Sequence, residues 1–102
     1  MSDIRRTQKA LVKRILEGDG KASPSERRAA FNNSGVAGPL GTLVDKVAKH
    51  PSRVTDEDIN GAKVSGRSED QVFEIVVCAA IGQATRQYEM ALAALKDATG
   101  KE

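Results

Sequence analysis

The segment FEIVVCAAIGQATR, residues 73–86, decides the fold of this chain. Its apolar side chains run almost without interruption, which is typical of a helix that is buried on several sides. Ser68 precedes it as an N-cap with Gln71 in the capping-box position, and Gly100 follows it as a C-terminal stop. The sequence therefore predicts one helix from about Ser68 to about Ala98, roughly 45 Å long.

Four shorter helices are predicted upstream of this segment from their caps and breakers. They are a helix from about Asp3 to Glu17 ended by Gly18-Asp19-Gly20, a helix capped by Ser23 with Pro24 at its first position, a helix from near Pro39 to the residue before His50-Pro51, and a short helix capped by Thr55. No strand pattern, repeat or linker interrupts them. We predict a single all-α domain of about five helices spanning residues 1–102.

Two local expectations accompany these helices. Glu26 lies three residues after Ser23, so the pair is expected to form a capping box. In the short fourth helix we expect Ile59, Ala62 and Val64 to face inward.

Composition and charge narrow the class of protein. The chain has 102 residues, three aromatic side chains and one cysteine, with a formal charge of +2. So small a charge argues against a nucleic-acid partner, which needs many cations to neutralise phosphates. The charge is uneven, however, because residues 1–28 are net basic and residues 55–74 are net acidic. Contacts between subunits or between helices could use that asymmetry.

The single cysteine and the apolar segments indicate a location. One cysteine excludes an internal disulfide, and a free thiol is typical of a reducing compartment. The N-terminus lacks an apolar signal region, and the longest apolar run is too short to span a bilayer. We predict a cytoplasmic protein without a membrane segment. Dinucleotide, Walker, zinc and EF-hand patterns are absent from the sequence, so no cofactor and no metal are predicted.

The string VTDEDINGAKVSGRSEDQVFEIVVCAAIGQATRQYEMALAAL resembles small members of the alkylhydroperoxidase-D-like superfamily, which includes carboxymuconolactone decarboxylases. The resemblance rests on an acidic capped helix, a Gly-Arg-Ser-Glu-Asp helix start, then Phe-Glu and an apolar Ala-Ala-x-Gly segment. It covers roughly residues 38–95 and implies an all-α fold that packs into dimers, trimers or hexamers.

The sequence departs from that family where its chemistry is carried. The peroxidase branch uses a Cys-x-x-Cys pair and a histidine one turn beyond, together with a glutamate on an earlier stretch of helix. Aligned on the Ala-Ala-x-Gly segment, the pair falls near Ala84 and Gln87 and the histidine near Ala91. The decarboxylase branch uses a histidine with acidic or aromatic groups, whereas His50 lies at the end of a different helix. Neither activity carries over directly.

Three residues remain as candidates for chemistry. Cys78 is either a core side chain or a one-cysteine peroxidase nucleophile, and its apolar neighbours oppose the thiolate that a nucleophile needs. Glu74 is either an exposed carboxylate or a structural one, paired for example with Arg67 or Arg86, or it is a general acid or base with a raised pKa. His50 is either a helix-end residue or an acid–base group, because the pKa of histidine lies near neutrality.

Gly82 is the clearest interface candidate. A glycine in a helix interior costs about 1 kcal/mol relative to alanine, so another helix is expected to cross closely there. We expect Ala79, Gly82, Ala84 and Arg86 to lie at such a contact, either within the chain or between subunits. The leading prediction is a non-catalytic member of this class that acts through homo-oligomer assembly or through binding a partner or ligand. The alternative is a one-cysteine peroxide reductase, or a lyase acting on a small carboxylated substrate with Glu74 and His50.

Overall fold

The computed structural model describes residues 2–100, with side chains from Arg5 onward, and this part of the chain contains five α-helices and no strand. The helices are α1 (Ser2–Glu17), α2 (Pro24–Phe31), α3 (Gly38–Lys49), α4 (Asp56–Val64) and α5 (Glu69–Thr99), and a short 3-10 turn (Pro51–Arg53) joins α3 to α4. The all-α prediction with a long last helix is confirmed. Within residues 2–100 no helix is both long enough and apolar enough to cross a membrane.

The predicted caps account for where the last two helices begin. The Thr55 hydroxyl accepts the N–H of Asp58 and the Asp58 carboxylate accepts the N–H of Thr55, which closes a capping box on α4. Ser68 and Gln71 form the same reciprocal pair on α5. Each box satisfies two donors that a helix N-terminus otherwise leaves without partners.

The capping box predicted for α2 forms only in part. Ser23 Oγ accepts the backbone N–H of Glu26 at 3.2 Å, and Pro24 occupies the first helical position as expected. The Glu26 carboxylate forms an ion pair with Arg67 instead of returning to the cap. A tertiary partner thus replaces the local hydrogen bond that the sequence spacing predicted.

One prediction about α4 is wrong in part. Ala62 is buried, but Ile59 is partly exposed and 86% of Val64 is exposed. Successive helical residues are rotated by about 100°, so two residues separated by two positions point in nearly opposite directions. Once Ala62 faces the core, Val64 must therefore face solvent.

Helix α5 is the central element of the core. Helices α2 and α3 pack along it, and its buried residues all lie between Val72 and Gly82. The largest fully buried side chains are Leu43 and Val44 of α3 and Ile75 and Cys78 of α5. The structure measures 50 Å along its longest axis, close to the ~46 Å length of a 31-residue helix, so the second half of α5 extends past the core.

Candidate functional site

Glu74 anchors the loop between α1 and α2. Its two carboxylate oxygens accept the backbone N–H groups of Lys21 at 2.9 Å and of Ala22 at 2.8 Å. A Cβ added to Gly20 would lie 2.6 Å from Glu74 Oε1, so a larger residue at position 20 would require the carboxylate to shift. Glu74 is thus a structural carboxylate, one of the two roles expected from the sequence, and its partners are backbone N–H groups of the loop.

The electrostatics of Glu74 disfavour the acid–base role. Partial burial raises the pKa of Glu74, but the backbone hydrogen bonds from Ala22 and Lys21 and the charge of Arg27 together lower it by more. The pKa of the carboxyl therefore lies below its ordinary value, and the group is ionised at neutral pH. A general acid or base needs a pKa near the working pH, which Glu74 does not have.

Arg27 also belongs to this site, although the sequence did not single it out. It is only 5% exposed, and its Nη1 donates to the carbonyl oxygens of Ile15 at 3.1 Å and Gly18 at 2.7 Å. The guanidinium thereby closes the C-terminal end of α1, where carbonyl groups lack helical partners. The sequence does contain one indication of this burial. Arg27 lies one helical turn before Ala30, so both residues lie on the face of α2 that packs against the core.

Cys78 lies in the core beneath this arginine. It is 1% exposed, and its Sγ lies 3.9 Å from the Ile15 carbonyl oxygen. Burial raises the pKa of the Cys78 thiol, the charge of Arg27 lowers it by less, and the Glu74 carboxylate raises it further. The thiol is therefore protonated at neutral pH, which is the state of a packed cysteine rather than of a nucleophile.

Glu74, Cys78 and Arg27 line one open pocket of about 180 Å³. Arg14, Asp19 and Phe73 also line it. The two groups of opposite charge nearest the thiol are already engaged, Glu74 by backbone N–H groups and Arg27 by backbone carbonyls. The arrangement fastens α1 and its following loop to α5.

His50 lies elsewhere. It is exposed at the C-terminal end of α3, where its N–H donates to the Lys46 carbonyl at 2.7 Å. It lines a separate pocket with Asp45 and Arg53. The lyase hypothesis requires His50 and Glu74 to line the same pocket. Within this chain they line different pockets.

The predicted close approach at Gly82 occurs inside the chain. A Cβ at Gly82 would lie 1.9 Å from the Phe31 carbonyl oxygen at the end of α2, and Ala79 is fully buried beside it. Arg86 Nη1 donates to the same carbonyl at 2.5 Å. Gly82 and Arg86 thus contact the end of α2 within the chain, and of the four interface candidates only Ala84 is exposed.

The exposed side of α5 forms a long surface without charge. At about 100° per residue, eight side chains between residues 73 and 98 fall within about 40° of one line along the helix, opposite the core. We call this the outer face of α5: Phe73, Val77, Ala80, Ala84, Gln87, Ala91, Leu95 and Ala98. Phe73 is 68% exposed and Leu95 is 59% exposed, and only Val77 is half-buried.

Three of the six carboxylates in the acidic segment, residues 55–74, have partners within the chain. Asp58 binds Lys46 at 3.0 Å, Glu69 binds Lys63 at 3.3 Å, and Glu74 is taken by the α1–α2 loop. These three carboxylates therefore already have partners in the chain, although the sequence suggested the acidic segment for contacts between subunits or between helices. Among the described residues, no three side chains of His, Cys, Asp or Glu lie together in a group that could hold a metal ion.

Comparisons with protein-family models, with curated proteins and with solved structures found no match to this chain. The resemblance to the alkylhydroperoxidase-D-like superfamily therefore stays a prediction from the residues quoted above.

Proposed function

We propose that this chain is a non-catalytic helical protein of the alkylhydroperoxidase-D-like type that works by associating with other copies of itself. The outer face of α5 carries the proposal. Protein surfaces that stay exposed are normally broken up by charged residues, whereas the centres of protein–protein interfaces are depleted of charge. Here eight successive surface positions include seven apolar residues and one glutamine.

The exposed side chains on this face make self-association favourable. Phe73 and Leu95 each leave more than half of their surface in water, and burying a side chain of this size contributes about 1.5–3 kcal/mol. The alanines between them let a second helix approach closely along the middle of the face. Contact with another protein surface would remove the apolar side chains of this long face from water.

The test is the mass of the protein in solution. Sedimentation velocity on the full chain, over a range from low to high micromolar concentration, should show a mass that rises above the monomer. Ala91→Lys places a charge on the outer face and should leave a monomer. A monomer of the wild-type chain at every concentration would overturn the proposal.

Ala93→Lys is the matched control. Ala93 is also an exposed alanine of α5, but two positions further along the helix it points about 160° away from Ala91. This variant should associate as the wild type does. Far-UV circular dichroism of both variants should show unchanged helix content, so that a lost interface is distinguished from a lost fold.

A one-cysteine peroxide reductase is the second candidate, because Cys78 lines the pocket it shares with Arg27 and Glu74. The raised pKa of its thiol argues against this activity. Peroxide consumption measured with an external thiol reductant should be the same for the wild type and for Cys78→Ser. Consumption by the wild type that is lost in Cys78→Ser would establish the reductase instead.

The lyase reading has less support, since Glu74 and His50 line different pockets. We place the protein in the cytoplasm, because a single free and buried cysteine suits a reducing compartment.

A further inference from the structure

We infer that the groove between α1 and the second half of α5 binds a free fatty carboxylate, with the alkyl chain on an apolar floor and the carboxylate on Lys9 and Lys13. The groove has a volume of about 430 Å³. Thr85 and Glu89 are its lining residues on α5, and they point more than about 100° away from the outer face of that helix. The inference therefore goes beyond the proposed function and stands independently of it.

The floor of the groove is apolar. Val12 and Leu16 of α1 and Phe31 at the end of α2 line it, and each keeps part of its side chain exposed. Val12 and Leu16 lie four residues apart, so they are neighbours on one face of α1 and form a strip along the groove. Phe31 also packs against the core, which holds that end of the floor in place. An alkyl chain on this floor would remove its own apolar surface and that of the three side chains from water.

The rim of the groove has an unbalanced positive charge. Glu89 pairs with Arg5 at 3.6 Å, and Glu17 pairs with an arginine of α2 at 3.3 Å, so both carboxylates of the rim already have cationic partners. Lys9 and Lys13 also line the groove, and in the described part of the chain neither has an ion-pair or hydrogen-bond partner. Because they lie four residues apart on α1, both ammonium groups can reach one anion. A carboxylate at this position complements their charge.

The dimensions of the groove select a single alkyl chain over a protein segment. Its lining residues on α1 run from Arg5 to Glu17, a distance of about 18 Å. The volume of 430 Å³ spread over that length gives a mean cross-section of roughly 24 Å². A helix about 10 Å wide needs roughly three times that area, whereas an extended alkyl chain is narrow enough to lie in the groove. The volume also falls within the range of small-molecule sites.

Nuclear magnetic resonance of the isotope-labelled full chain tests the site, with dodecanoate as the probe below its micelle-forming concentration. Dodecanoate should shift the amide signals of Val12, Leu16 and Thr85 saturably. Full burial of one methylene group tightens binding about fourfold, and an open groove covers each group only in part, so dodecanoate should bind at least about tenfold more tightly than octanoate. Dodecyltrimethylammonium has the same chain with the opposite charge, and it should bind much more weakly than dodecanoate.

Two double variants test the charge. Lys9→Gln/Lys13→Gln removes both unpaired cations of the rim and should weaken dodecanoate binding roughly tenfold, which is the combined contribution of two exposed charge pairs. Lys49→Gln/Arg53→Gln is the matched control. It removes the same charge from two exposed residues at the end of α3 and in the following 3-10 turn, which do not line the groove. The control should bind dodecanoate as the wild type does.

The contrary results are equally specific. No saturable shift with dodecanoate, or shifts confined to the outer face of α5, would overturn the groove as the site. Equal binding of dodecyltrimethylammonium and dodecanoate, or unchanged binding by Lys9→Gln/Lys13→Gln, would overturn the role of the lysines. Signal loss with vesicles of phosphatidylglycerol and phosphatidylcholine, without any shift on adding dodecanoate, would assign the basic residues of α1 to a membrane surface and overturn the proposal.

Discussion

Replacing Gly82 by alanine is the sharpest test of the packing of α5. Gly82 is buried in the helix where α2 ends against it. A Cβ at this position would lie 1.9 Å from the Phe31 carbonyl oxygen, 2.7 Å from its carbonyl carbon and 2.8 Å from its Cα. All three atoms belong to the backbone, so no side chain can rotate away, and the end of α2 must move.

The magnitude follows from opposing contributions. Overpacking that shifts a backbone segment costs about 1–3 kcal/mol or more. The shift also disturbs the 2.5 Å hydrogen bond from Arg86 to the same carbonyl, which contributes about another 1 kcal/mol. Alanine is favoured over glycine in a helix by about 1 kcal/mol, which offsets part of the loss. We expect Gly82→Ala to lower the free energy of unfolding by about 2 kcal/mol.

Urea unfolding followed by far-UV circular dichroism measures this change, and Gly61→Ala is its matched control. Gly61 also lies inside a helix, but a Cβ there would meet only Pro39 Cβ at 3.7 Å, which is an ordinary contact. The control should gain up to about 1 kcal/mol in stability. If Gly82→Ala is as stable as the wild type, or gains stability as Gly61→Ala does, then α2 does not lie against α5 as described.

Three further predictions concern the residues behind the α1–α2 loop. The pKa of Glu74 is lowered on folding, so its stabilising contribution is full above its ordinary value of 4.5 and is lost as pH falls through the lower folded pKa. In urea unfolding at a series of pH values, Glu74→Gln should be less stable at neutral pH by about 1–3 kcal/mol and should lose part of the acid dependence. A Glu74→Gln curve parallel to that of the wild type at all pH values would contradict this. The Cys78 thiol should react with an aromatic disulfide reagent only slowly in the native protein and rapidly in urea; equal rates in both would show an accessible thiol. Arg27→Met leaves two carbonyls at the end of α1 without a donor and should cost about 1–3 kcal/mol, whereas Arg28→Met, at an exposed neighbour, should change stability by less than about 0.5 kcal/mol.

The function that these residues support follows from what they are already bound to. Glu74 holds two backbone N–H groups, Arg27 holds two backbone carbonyls, and Cys78 is closed under both. These hydrogen bonds fasten α1 and the loop that follows it to α5. The outer face of α5 is the surface through which we propose that this chain associates.

Local features of this protein were determined by its sequence. Ser23, Thr55 and Ser68 each begin a helix, because a side-chain oxygen three residues before a backbone N–H caps it without help from elsewhere in the chain. The ends of two helices are also determined locally. Helix α3 ends just before His50-Pro51, and α5 ends at its C-cap Gly100. The all-α class follows from these signals together with the apolar content of α5.

The identities of the tertiary partners were decided only by the three-dimensional structure. The glycine in α5 predicted a close neighbour, but only the packing of α2 shows that the neighbour is the Phe31 carbonyl within the same chain. The sequence suggested that Glu74 would be exposed or would pair with an arginine, and the structure shows it accepting backbone N–H groups 52 and 53 residues away. Backbone donors and acceptors exist at every position, so the sequence cannot single out which of them a buried charge will use. That choice depends on where the loop after α1 lies against α5, which is a property of the whole packed chain.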